Sequence, residues 1–97
     1  MKMENFIPLN QLSSYYEVEL SFFINLSEIG LIEITMIDQA EYVHESNVER
    51  IERIIRMHND LQVNPEGIDV VFNLLQKIED LQEELRSAKN RLRLYEH

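Results

Sequence analysis

The chain has 97 residues, no cysteine, two glycines, two prolines and a formal charge of −9. This length allows one domain, or a small domain with an oligomerisation helix, and the lack of cysteine excludes both a disulfide framework and thiolate chemistry. The charge is lopsided: Lys2 alone opposes nine acids in residues 1–49, a balance of −8, whereas eight bases and nine acids in residues 50–97 balance to −1. Residues 3–49 hold no Lys or Arg at all. Such a surface repels phosphate and attracts a basic protein face. No apolar run approaches the ~18 residues of a membrane span. The opening MKMENFIPLN lacks the apolar stretch of a signal peptide. The expectation is a soluble, acidic, cytoplasmic protein.

Ile7 to Glu17 reads as a short helix with Leu9 and Leu12 inward, Pro8 near its start and Tyr15 and Tyr16 near its end. Residues 19–29 read as a second short helix. Leu20, Phe23, Ile24 and Ser27 recur at helical spacing, Phe22 and Leu26 form an adjoining stripe, and Gly30 stops the helix. In the following LIEITMIDQAEYVHE, Ile32, Ile34 and Met36 alternate with Glu33, Thr35 and Ile37, a strand pattern. Asp38-Gln39 is expected to turn the chain into a second strand, Ala40 to His44, although Gln is a poor residue where φ must be positive.

Ser46-Asn47-Val48-Glu49 has the form of a capping box. It predicts a helix to about Leu61 with Val48, Ile51, Ile54, Ile55 and His58 on one face. Asn64-Pro65-Glu66 predicts the next helix start, with Asn as cap, Pro at the first position and Glu at the positive end of the helix dipole. Nothing after Gly67 breaks that helix before the end of the chain. With Val71 at heptad position a, the a positions are Val71, Ile78, Leu85 and Leu92, and the d positions are Leu74, Leu81, Ala88 and Tyr95. All eight are apolar, the pattern of a coiled coil. A second copy is the simplest cover for that seam. Parallel pairing would set Glu84 against Lys89 and Arg91 against Glu96 of the other copy.

The chain has no catalytic constellation. Of its three histidines, His58 sits in a helical face and His97 is terminal, and no spacing of His with Asp or Glu resembles a zinc site. No dinucleotide or phosphate-loop sequence occurs. Glu83-Glu84 reads as solvated helix surface. No metal, no cofactor and no enzymatic activity are expected.

The element order of two short helices, a hairpin, a third helix and a long helix resembles the MerR-type winged helix-turn-helix with its dimerisation helix. Ser27-Glu28-Ile29-Gly30-Leu31-Ile32 resembles the exit from that family's second helix, Tyr42-Val43-His44 the end of its wing, and Arg53-Ile54-Ile55-Arg56-Met57 its third helix. The segment Asp60-Leu61-Gln62-Val63-Asn64-Pro65-Glu66-Gly67-Ile68-Asp69-Val70-Val71, continued by Leu74-Leu75-Gln76-Lys77-Ile78-Glu79-Asp80-Leu81, is similar to the chaperone-modulator CbpM branch. The resemblance implies a mainly α fold with a small β-hairpin wing. It divides the chain into a winged helical domain, residues 1–62, and a coiled-coil dimerisation helix, residues 64–97. It also implies binding to the J domain of a DnaJ-like co-chaperone and restraint of its work with DnaK. MerR-like relatives pair this helix antiparallel.

DNA-binding members of the wider family carry two Arg in the second helix. Aligned through Ile29-Gly30-Leu31, this chain has Ser21 and Ile24 there, and Glu17 replaces the usual turn Gly. Both phosphate and base contacts depend on such Arg, so duplex DNA is not the expected ligand. The expected partner face is acidic and aromatic: Glu17, Glu19, Phe22, Glu28, Glu33, Asp38 and Glu41. Two other readings remain, a DNA-binding regulator using Arg50, Arg53 and Arg56, and a bare dimerisation module.

Overall fold

The computed structural model describes residues 5–96, so Lys2, Glu4 and His97 lie outside the described residues. The chain is mainly helical, with one three-stranded antiparallel sheet in the order β1-β3-β2. In sequence, β1 (Phe6–Pro8) leads directly into α1 (Leu9–Tyr16), and α2 (Leu20–Ile29) follows. The wing is β2 (Thr35–Ile37) and β3 (Ala40–His44), then a single 3₁₀ turn at Glu45–Asn47 leads into α3 (Val48–Leu61) and α4 (Pro65–Glu96).

The first helix therefore starts two residues later than its sequence suggests. Ile7 and Pro8 are drawn into β1, where Ile7 pairs with Val43 and Pro8 with Tyr42. Pro suits the end of an edge strand because it has no N–H to contribute. The wing turn does form at Asp38-Gln39, with φ of 48° and 63°. Two successive positive φ values are the mark of a two-residue hairpin turn whose twist suits the strands, and Gln39 accepts that conformation despite its side chain. β2 is shorter than the run of alternation from Ile32 to Ile37. Ile37 is buried and Met36 is exposed, while Ile32 is buried ahead of the strand.

The Ser46 capping box does not form. His44 Nδ1 accepts the backbone N–H of Ser46 at 3.1 Å and lies 2.8 Å from its hydroxyl, so the hydroxyl is engaged before the helix begins. Asn47 stands at the N-cap without a side-chain bond. The second start forms as expected. Asn64 Oδ1 accepts the N–H of Gly67 at 2.8 Å, and a Cβ on Gly67 would fall 2.8 Å from Val63 Cγ1.

One core joins the parts. Leu9 and Leu12 of α1, Phe23 and Leu26 of α2, Leu31 and Ile32 of the loop, Val43 of β3 and Ile51, Ile54 and Ile55 of α3 are all buried. Ile68 of α4 is fully buried in the same cluster, which anchors the long helix against α2 and α3. Arg50 and Arg53 add to that joint. Their guanidinium carbons lie 4.4 and 5.3 Å from the centre of the Phe72 ring, a favourable cation–π arrangement. Arg50 Nε also donates to the Leu31 carbonyl at 2.7 Å. From Gln76 to Glu96 every residue of α4 is exposed.

Candidate protein-docking face

The α1–α2 turn is built on a backbone strain. Glu17 closes α1 with φ 55° and ψ 47°, the left-handed region that normally calls for Gly. The turn is fixed on both sides: the N–H of Val18 donates to the Ser13 carbonyl at 3.0 Å, and the Ser13 hydroxyl donates to the Val18 carbonyl. Glu19 then takes the N-cap position of α2. Two carboxylates thus bracket the turn, and both are exposed.

Glu17 and Glu19 line an open groove of about 600 Å³ with Ser21, Phe22 and Asn25 of α2 and His58 of α3. Phe22 is half-buried, 4.6 Å from the His58 ring centre to centre and tilted by 37°. His58 Nδ1 lies 3.1 Å from the Val63 carbonyl. A carbonyl can only accept, so Nδ1 carries the proton. That bond holds the imidazole against Phe22, and together the two rings form the groove's apolar wall. Among the described residues no group of three or more His, Cys, Asp or Glu is placed to hold a metal ion.

Glu17, Glu19 and Phe22 come together here, but the other four expected docking residues do not join them in one groove. Glu41 lines a groove of about 440 Å³ with Pro8, Leu20, Ala40 and Tyr42. Glu33 lines a third, of about 490 Å³, with Gly30, Leu31, Asn47 and Arg50. Glu28 is exposed on α2, and Asp38 is exposed at the tip of the wing. Of the residues at helical spacing on α2, Leu20 and Ile24 lie outward, 41% and 38% exposed. Ile24 stands at a position where the sequence alignment sets an Arg of DNA-binding members of the wider family, and this offered a signal for it. Among the remaining aromatics, Tyr15 is exposed and stacked edge-on against Tyr16 at 4.9 Å. The Tyr16 hydroxyl donates to Glu52 Oε1 at 2.9 Å, and burial together with that carboxylate pushes its pKa up to about 12.

On α4, Leu74, Ile78, Leu81, Leu85 and Leu92 each keep about half or more of their surface in solvent, Tyr95 keeps nearly all of it, Ala88 is exposed and Val71 is half-buried. The winged part covers none of the seam beyond its start. No helix among the described residues is long and apolar enough to cross a membrane.

No curated protein and no solved structure matches the chain. The family whose model does match, described as MerR HTH family regulatory protein, covers residues 7–90, from β1 through most of α4. The chain belongs to the MerR helix-turn-helix family of regulatory proteins.

Proposed function

We propose that this protein is a non-enzymatic, cytoplasmic chaperone modulator that binds the J domain of a DnaJ-like co-chaperone and restrains its activity with DnaK. The observation that supports this reading is the sign of the helix-turn-helix surface. Glu17 and Glu19 flank the entry to α2, Glu28 lies near its exit, and no base occurs from residue 3 to residue 49. J domains present a basic helix, and complementary charge steers association and fixes register. The same sign opposes duplex DNA, whose affinity for proteins comes largely from phosphate contacts with Lys and Arg. Of the three Arg on α3, two are stacked on Phe72.

The exposed seam of α4 supports a homodimer formed through Val71, Leu74, Ile78, Leu81, Leu85, Ala88, Leu92 and Tyr95. A symmetric pair would bury the same stripe on both copies and carry two winged parts.

Calorimetry of the full chain with the J domain of a DnaJ-like co-chaperone tests the main reading, together with J-stimulated ATP hydrolysis by DnaK. Binding in the micromolar range or tighter, with stimulation reduced in step with occupancy, is the expected result. No binding removes the reading. Anisotropy with mixed-sequence duplex DNA tests the competing one. A micromolar complex at about 150 mM salt that weakens steeply with added salt would make the chain a DNA-binding regulator instead.

A further inference from the structure

The outward side of α2 joins the docking residues that the grooves leave apart. Leu20, Ser21, Ile24 and Glu28 lie one, three and four positions from their neighbours, so they form one strip along the helix. All four are exposed, on the side away from Phe23 and Leu26, which are fully buried. The strip is a ridge between two grooves. Ser21 belongs to the groove of Glu17 and Glu19, and Leu20 to the groove of Glu41. Two aliphatic side chains one turn apart therefore stand in water with carboxylates on either flank and Glu28 on the ridge itself.

We propose that this ridge is a docking site for an amphipathic, cationic helix of another protein. Leu20 and Ile24 would form its apolar centre, and Lys or Arg side chains of the partner would reach the carboxylates of Glu17 and Glu19 on one side and Glu41 on the other. A ridge with a groove on each side is the shape against which a second helix packs its own side-chain rows. The sign of the flanks selects among occupants. A second copy of this surface would bring carboxylate against carboxylate, and nucleic acid would bring phosphate against carboxylate, whereas a basic helix meets opposite charge on both edges. The site rests on the protein-binding reading above and supplies it with a centre, because energetic hot spots sit in the middle of an interface with charged groups at its rim.

The test uses the isotope-labelled full chain and two probes, a J domain from a DnaJ-like co-chaperone and a synthetic Leu/Lys amphipathic helical peptide. Chemical-shift changes in the wild type should centre on Leu20 to Glu28 with both probes. Leu20→Ser with Ile24→Ser should weaken both complexes about tenfold or more, an estimate from the usual effect of losing hot-spot side chains. Leu20→Met with Ile24→Val should keep them. Circular dichroism and sedimentation should be unchanged in both variants. Shift mapping on the wild type needs no variant, so a misfolded substitution leaves the test intact. If the J domain binds and its shifts fall away from α2, the ridge is not the site and the chaperone reading survives. If the peptide binds on the ridge and the J domain does not bind, the ridge survives and the chaperone reading fails. If neither probe shifts α2 resonances, the ridge proposal is wrong.

Discussion

Helices α2 and α4 both leave aliphatic side chains in water, but their flanks differ. On α2, the grooves that flank Leu20 and Ile24 are lined by the carboxylates Glu17, Glu19 and Glu41 and by no Lys or Arg. On α4, the row from Leu74 to Leu92 is interspersed with Lys77, Glu84, Arg86, Lys89 and Arg91. An apolar stripe bordered by both signs can be its own complement, because each base finds an acid on a second copy. A stripe bordered by one sign repels its copy and requires an unlike partner. On the function proposed above, α4 would self-associate and α2 would recognise another protein, so the two surfaces would not compete.

The division breaks most visibly on α4. Ile78→Glu with Leu85→Glu puts four carboxylates into a seam formed by two copies. Each buried Leu or Ile is worth about 1.5 to 3 kcal/mol, so the dimer should weaken by well over a hundredfold. Sedimentation at tens of micromolar should show a wild-type dimer and a monomeric variant that keeps its helical winged part. A wild type that sediments as a monomer at this concentration would leave α4 without its assigned role.

On α2, the sharpest intervention is charge reversal. Glu17→Lys with Glu19→Lys should slow association with a J domain about tenfold or more at low salt, as expected from electrostatic steering. The gap between variant and wild type should narrow as salt rises. Both residues are exposed, so fold and dimer should survive. Stopped-flow mixing across a salt series reads the effect, and equal rates at low salt would remove the acidic face from the interface.

The division was partly visible in the sequence. The charge asymmetry, the heptads and the Asn64 cap are local or periodic, so the residues alone carry them. The hairpin was legible for the same reason, with Asp38-Gln39 between two short runs. β1 was hidden because its partner is β3, more than thirty residues away, and three residues ending in Pro8 give no periodic signal of their own. Alternation in β2 separates two faces but does not say which one meets the core. The outward position of Leu20 and Ile24 is not legible in the sequence because α2 carries two overlapping apolar stripes, and packing against α1 and α4 decides that Phe23 and Leu26 go inside. The Ser46 capping box looked sound in isolation, and the side chain of His44 then took its hydroxyl. Glu17 departs from the turn Gly of the wider family, and its backbone is nevertheless left-handed.

That strain offers a smaller, two-sided test of the acidic face. A non-glycine residue in the left-handed region costs about 1 to 2 kcal/mol, partly offset by the entropy that Gly loses on folding. Glu17→Gly should therefore raise stability by roughly 0.5 to 1 kcal/mol and slow J-domain association less than the double reversal does. Urea denaturation at fixed protein concentration, which holds dimerisation constant, measures the first effect. A variant that gains stability and loses binding would show that the carboxylate is kept at this turn for its partner. A variant that gains stability with unchanged binding would confine Glu17 to a structural position.

The smallest expected effect lies behind the face, where Tyr16 of α1 reaches α3. Burial and the neighbouring Glu52 carboxylate raise the phenol's pKa from 10.0 to about 12. The folded state therefore holds the proton more tightly than the unfolded chain. The stability this contributes is complete below about pH 10 and is lost as pH rises through about 12, because only the unfolded chain ionises freely within that window. Tyr16→Phe removes both the hydroxyl and the titration. Below pH 10 the variant should be slightly less stable than wild type, since the bond to Glu52 is gone. Between about pH 10 and 12 its urea midpoint should fall less steeply than that of wild type, and the two curves should converge. Parallel curves across that window would mean that the Tyr16–Glu52 bond does not hold α1 to α3 in solution. The α1–α2 turn would then depend on the Ser13–Val18 bonds, the bond from the Glu17 N–H to the Ser14 carbonyl and the core.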